Sequence, residues 1–250
     1  MKILMIGHLL GDFYFQTNKL AEKKKKSLVY TMLHCFIYCF VMLIVLITTT
    51  GKLVENTFLA LLMGGLHLVV DGIKCELYKR KNLGKYELTV FIIDQIIHLV
   101  ILFLVNCVFD IEFNIAWNQC ISVNVSKVLQ NSLTFVFSFL LCGKPAALIV
   151  SLVFGLIPKT IESAENDVVI IGKKRQESIR IGSWIGILER EIILILGVLG
   201  QYGAIGFVIA AKSLARHSQL NEPAFAEKYL IGTLLSSLIA LLGVLACSIL

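Results

Sequence analysis

The sequence predicts an all-α protein, a polytopic transmembrane helix bundle with about seven or eight membrane segments, and three observations lead there. The 250 residues are 57% hydrophobic and only 16% charged, with a mean hydropathy of +0.84, far more apolar than a soluble domain whose surface must face water. Several runs approach or pass the roughly 18–20 apolar residues needed to cross about 30 Å of hydrocarbon. Lipid offers the backbone no hydrogen-bond partners, so such runs must be helical, which sets strands aside.

Taken in order, spans are expected near 28–50, 53–73, 88–108, 133–157 (containing Pro145), 181–199, 200–215 and 229–250. Residues 2–20 form either a further span or a helix dipping into one leaflet. The opening "MKILMIGHLL" faintly resembles a signal peptide. Asp12 interrupts it early and no small-residue cleavage site follows, so the segment is expected in the mature protein. The chain reads as one integral-membrane domain over 1–250, with a His/Asp-rich half at 1–110 and a Glu/Arg/Lys-containing half at 128–250.

Charge supports this order of spans. Of the 23 Lys and Arg residues, five fall within 19–27, five within 74–87, five within 158–180 and three within 212–228, all on one side if the spans alternate. Lys52 and Lys127 fall on the other side, where 109–127 is the main external loop. By the positive-inside rule the basic loops are expected to be cytoplasmic. The net charge of +6 is accounted for by these topology signals facing an anionic leaflet, and a nucleic-acid partner is not expected. The seven cysteines form no CxxC pair and read as packed thiols.

Only five histidines occur, and His8, His34, His67 and His98 fall within expected membrane helices. Three carry an aspartate one turn away: His8 with Asp12, His67 with Asp71 in "HLVVD", and Asp94 with His98 in "DQIIH". Residues at i and i+4 share a helix face, so each pair can address one target. Counted from the basic ends of their helices, His34, His67, Asp94 and His98 all lie roughly 9–15 Å below the same membrane face. An ionised Asp at the centre of a membrane helix costs about 2.5–3.5 kcal/mol, so such groups are paired, solvated or bound to a cation.

Imidazoles and carboxylates suit a divalent metal, most of all zinc, with iron or manganese as alternatives. His8, Asp12, His67, Asp71 and His98 are the candidate ligands. His34 or Asp94 completes the shell or serves as general base, with the metal lowering the pKa of a bound water to about 7. Gln16, Gln95 and Lys74 lie beside this constellation, Lys74 either snorkelling to the interface or contacting an anionic substrate group. The competing reading is interhelical His–Asp hydrogen bonding that holds the bundle together.

A second set of charges lies in "IGILEREIILIL", "AIGFVIAAKSLARH" and "FAEKYLIGTLLSS". Neighbours Glu189 and Arg190 cannot face one way on a helix. Glu189 is therefore expected to meet Lys212 or Arg216, and Arg190 an acid such as Glu227. Either these are buried ion pairs, or Glu189, Arg190, Lys212 and Arg216 line a pocket for the phosphate or carboxylate of a substrate.

The motifs "GHLLGDFYFQTNKLAEKK", "HLVVDGIK", "DQIIH", "IGILERE", "AIGFVIAAKSLAR" and "FAEKYLIGTLLS" together resemble an uncharacterised bacterial membrane family designated domain of unknown function 3307 (DUF3307). The His/Asp motifs are also similar in style to membrane-bound metal-dependent hydrolases, a looser likeness. The resemblance implies a bacterial cytoplasmic membrane and a family set of His8, Asp12, Gln16, His34, His67, Asp71, Asp94, Gln95 and His98.

The expected function is a metal-dependent membrane hydrolase acting on a lipid, lipid-linked or other amphipathic substrate, with membrane lipids as its surroundings and room for an oligomer. A metal-ion or proton transporter, or a non-catalytic subunit with a structural metal or ion-pair cluster, stays open beside it.

Overall fold

The computed structural model describes residues 1–50, 52–80, 83–109, 123–156 and 170–249. Among these residues there are helices and turns and no strand, as the hydropathy requires. The expected external loop lies outside the described residues at 110–122, as does the polar stretch 158–169.

Among the described residues five helical stretches are long and apolar enough to cross a membrane: Leu28–Thr50, Leu53–Arg80, Glu87–Phe109, Asn131–Leu156, which turns at Gly143, and Pro223–Ser248. The spans expected near 181–199 and 200–215 fall on the helix Ile170–Val198, whose apolar run is interrupted by Glu189, Arg190 and Glu191, and on the shorter Tyr202–Ala215. The protein is membrane-embedded, and its first three long helices carry their apolar residues outward. On Leu28–Thr50 the exposed face holds Met32, Leu33, Phe36, Phe40 and Ile44, while His34, Cys35, Tyr38, Met42 and Leu46 are buried. An apolar exterior around a polar interior suits hydrocarbon as solvent.

The chain forms two units, Met1–Leu140 and Leu141–Leu250. In the first, α1 (Lys2–Leu9) runs into a π-helical turn over Leu10–Tyr14, the short α2 (Asn18–Lys24) follows, and α3 (Leu28–Thr50), α4 (Leu53–Arg80) and α5 (Glu87–Phe109) form the body. Helix α6 (Val123–Cys142) ends at the boundary between the units. Thr17 caps α2 by accepting from the Leu20 amide at 3.3 Å, relieving one of the free N–H groups of its first turn.

Helix α1 and the π-helical turn lie close against α3 because they carry Gly7 and Gly11 where they meet it. A Cβ at Gly11 would stand 2.8 Å from the Tyr38 ring, and one at Gly7 2.7 Å from the Met42 sulfur. Gly64 of α4 gives the same closeness to Cys39 of α3.

Each helix is layered in the same sense. Ile3 and Leu4 of α1, Tyr38, Met42 and Leu46 of α3, Leu59, Ala60 and Met63 of α4, and Leu102 and Val105 of α5 form one buried apolar cluster. The histidines and aspartates sit on the other side of it along every helix.

In the second unit, α7 (Lys144–Leu156), α8 (Ile170–Val198), α9 (Tyr202–Ala215) and α10 (Pro223–Ile249) pack together, with Gly197 giving α8 its approach to Val244 of α10. The span expected as continuous over 133–157 is broken at Gly143, between α6 and α7. Pro145 is the cause: its ring disfavours helical geometry in the preceding residue and it has no N–H to donate, yet it fits the first turn of a new helix.

Candidate metal centre

Every group of the first centre is carried by an element whose position the sequence explains. The π-helical turn carries Asp12, α3 carries His34, and α4 carries His67 and Asp71 one turn apart. All four side chains are buried, and one ligand atom from each lies within 4.8 Å of every other. His34 Nε2 is 3.1 Å from Asp12 Oδ1, 3.1 Å from His67 Nε2 and 3.5 Å from Asp71 Oδ2. His67 Nε2 is 3.6 Å from Asp71 Oδ2 and 3.9 Å from Asp12 Oδ1. Four ligands held at about 2.0–2.1 Å around a tetrahedral ion stand about 3.4 Å apart, which is the middle of this range.

A second group, Asp71, Asp94 and His98, shares Asp71 with the first. His98 Nδ1 lies 2.8 Å from the Asp94 carbonyl oxygen. A carbonyl only accepts, so Nδ1 carries the hydrogen and Nε2 keeps its lone pair. The His67 and His98 rings lie 4.4 Å apart, centre to centre.

His8, expected among the ligands, belongs to neither group and has both ring nitrogens engaged. Gln95 Nε2 donates to Asp12 Oδ2 and Asp94 Oδ2, both at 3.2 Å, because carboxylates only accept. That leaves Gln95 Oε1 to accept from His8 Nε2 at 3.4 Å, and His8 Nδ1 to accept from the Tyr38 hydroxyl at 3.3 Å. One directed chain from Tyr38 through His8 and Gln95 thus ends on both aspartates, and the Tyr38 ring also stacks on His67 at 4.0 Å.

Two lysines complete the centre. Lys74 turns inward to Asp94 Oδ2 at 2.7 Å. Lys24 reaches Asp71 Oδ2 at 2.9 Å and Asp12 Oδ1 at 3.5 Å. Burial pulls the Lys24 ammonium down, but Asp12 and Asp71 outweigh that and hold it above the ordinary lysine range. The basic run 23–26 was read as a topology signal, and Lys24 was missed. The available clue was Asp12 itself, a buried acid one short polar helix away from four consecutive lysines. Tyr38 was missed too, although it follows His34 by one helical turn on α3. Gln16 is half-buried past the π turn, its Oε1 without a partner among the described residues.

In the second unit, Glu189 pairs with Lys212, one of the expected alternatives. Lys212 also lies 5.3 Å from the centre of the Tyr229 ring, and Arg216 lies 6.0 Å from that of Phe225. Arg190 is buried and donates to the Cys142 carbonyl at 2.6 Å, the Gly143 carbonyl at 3.3 Å and Ser236 Oγ at 3.1 Å, while Glu227, its expected acid partner, is exposed. The guanidinium therefore serves the carbonyls at the helix break, where water is scarce and the α6 C-terminus is negative.

Residues 1–127 match the family described as a protein of unknown function, DUF3307, which is just over half of the chain. The chain belongs to this family. The matched part of this DUF3307 protein contains every residue of both converging groups, with Lys24, Tyr38, Lys74 and Gln95. No curated protein and no solved structure matches it.

Proposed function

We propose that this DUF3307 protein is a metal-dependent membrane hydrolase acting on a lipid or another amphipathic substrate, with Asp12, His34, His67 and Asp71 as the ligands of a divalent ion, zinc in the first place. The observation that carries the reading is the convergence of two imidazole nitrogens and two carboxylate oxygens at separations of 3.1–3.9 Å inside a membrane protein. His34 Nδ1 and His67 Nδ1 have no partner among the described residues, so each ring commits only its Nε2 to the cluster.

Such an ion supplies Lewis acidity and an activated water. Gln95 holds Asp12 and Asp94 in register, and His8 and Tyr38 hold Gln95. Asp94 Oδ1, 3.9 Å from His98 Nδ1, has no hydrogen-bond partner among the described residues and is the candidate general base, while Lys24 and Lys74 are placed to hold an anionic substrate group.

The basic segments on α2 and at the end of α4 support a site in the cytoplasmic leaflet of a bacterial inner membrane. Metal-ion or proton transport remains the second reading, favoured by the depth of the carboxylates. Against it stands the largely apolar cluster from Ile3 to Val105, which among the described residues continues along each helix beyond the histidines.

Elemental analysis of the detergent-purified protein tests the proposal. Near-stoichiometric zinc, iron or manganese is expected in the wild type and not in a His34→Ala/His67→Ala variant, and Asp94→Asn is expected to bind metal without turnover of phospholipid or lipid-linked phosphate. Absence of metal from the wild type, also after reconstitution, overturns the reading.

A further inference from the structure

Asp71 is common to both converging groups, and we infer that the protein holds two divalent cations, bridged by the Asp71 carboxylate. The second is held by Asp94 and His98, so that Asp94 serves there as a ligand in place of the general-base role it has with a single ion. This rests on the metal reading of the first group and adds to it a site of its own.

The two Asp71 oxygens already face different neighbours. Oδ2 lies 3.5 Å from His34 Nε2 and 3.6 Å from His67 Nε2, whereas Oδ1 lies 4.0 Å from Lys74, whose ammonium contacts Asp94 at 2.7 Å. One Asp71 oxygen also lies within 4.8 Å of a ligand atom of Asp94 and of His98, so the carboxylate is within reach of both ligand sets, as the bridge of a two-metal site must be.

The other two members carry lone pairs that the described residues leave unmet. Asp94 Oδ2 is taken by Lys74 and Gln95, but Asp94 Oδ1 is buried without a partner. His98 has given its one hydrogen to the Asp94 carbonyl, and its Nε2 is also buried without a partner. Asp94 is 5% exposed and His98 3%, so water does not reach these atoms freely. Buried polar atoms are rarely left so, and a hydroxyl, with its single hydrogen, would satisfy one atom and not both. A divalent cation accepts a carboxylate oxygen and an imidazole nitrogen together.

Charge points to the ligand class. Asp12, Asp71 and Asp94 bring three negative charges, against which stand two divalent ions and the ammonium groups of Lys24 and Lys74. The resulting positive excess in a water-poor setting favours an anionic oxygen group, and a phosphoester has the charge and the two oxygens that a metal pair stabilises.

The test is metal stoichiometry, with Mn2+ as probe on full-length, metal-stripped protein in detergent. Two equivalents retained after gel filtration, with the exchange-coupled paramagnetic resonance spectrum of neighbouring Mn2+ ions, are expected for the wild type. His98→Gln and Asp94→Asn, each checked for wild-type helicity and a monodisperse elution, are expected to retain one equivalent with an uncoupled spectrum. One equivalent in the wild type overturns the second cation and leaves the first standing. None overturns both. Two equivalents that survive in both variants place the second ion elsewhere and overturn the assignment to Asp94 and His98.

Discussion

Lys24 occupies the oxygens that a metal ion would need. Its ammonium meets Asp71 Oδ2 at 2.9 Å and Asp12 Oδ1 at 3.5 Å, the same two atoms that face the His34 and His67 nitrogens. The lysine therefore stabilises the metal-free protein and would compete with a metal ion for the centre. Removing one partner of a buried pair costs about 3–5 kcal/mol, since the other charge is left uncompensated. Lys24→Met is thus expected to lower the melting temperature of metal-stripped protein well below that of wild type. Adding zinc is expected to raise it by more than in the wild type, because no ammonium has to be displaced. Thermal melts of both proteins with and without metal check this. Equal metal-induced shifts would show that ammonium and metal do not share these oxygens.

The seam between α1 and α3 ties packing to chemistry. Tyr38 meets Gly11 on one side and stacks on His67 on the other, at 4.0 Å and nearly parallel. A Cβ at Gly11 would press on the ring itself at 2.8 Å, while one at Gly7 would meet the end of the flexible Met42 side chain at 2.7 Å. Gly11→Ala is therefore expected to cost about 1–3 kcal/mol of stability and to weaken metal binding through His67, and Gly7→Ala to cost less and leave metal binding unchanged. Metal affinity measured beside melting temperature separates the two, and equal affinities would detach Tyr38 from the centre.

The same elements mark what the sequence made legible. The spacing of His67 to Asp71 and of Asp94 to His98, with depths counted from basic helix ends, was enough to bring His34, His67, Asp71, Asp94 and His98 to one level. Lys24 was beyond that reach, because its position depends on α2 folding back at the corner where the Thr31 hydroxyl lies 3.2 Å from the Lys24 and Ser27 carbonyls. His8 lies beside the His67 and His98 rings, but periodicity assigns a face and not the hydrogen-bond partners Tyr38 and Gln95. The break at Gly143 was signalled by Pro145, and hydropathy averaging passed over it.

Across the molecule, charge and layering give the first unit a direction. Lys23 to Lys26 precede α3, Lys79 and Arg80 close α4, and Lys52 stands at the opposite turn between them. Each basic residue near an anionic leaflet is worth about 1 kcal/mol, so the several at the first two positions outweigh Lys52. The His/Asp layer lies toward the ends of α3 and α4 that carry those lysines, and the apolar cluster lies toward Lys52. Under the proposed hydrolase function, orientation would decide which leaflet supplies the substrate. In a cysteine-free background, Lys26→Cys and Lys79→Cys are expected to react with a membrane-impermeant maleimide in inverted vesicles only, and Lys52→Cys in right-side-out vesicles only. The opposite pattern would turn the centre to the outer leaflet and exclude cytoplasmic-leaflet lipids as its substrates. Labelling of all three from one side would remove α3 and α4 from the set of membrane-crossing helices.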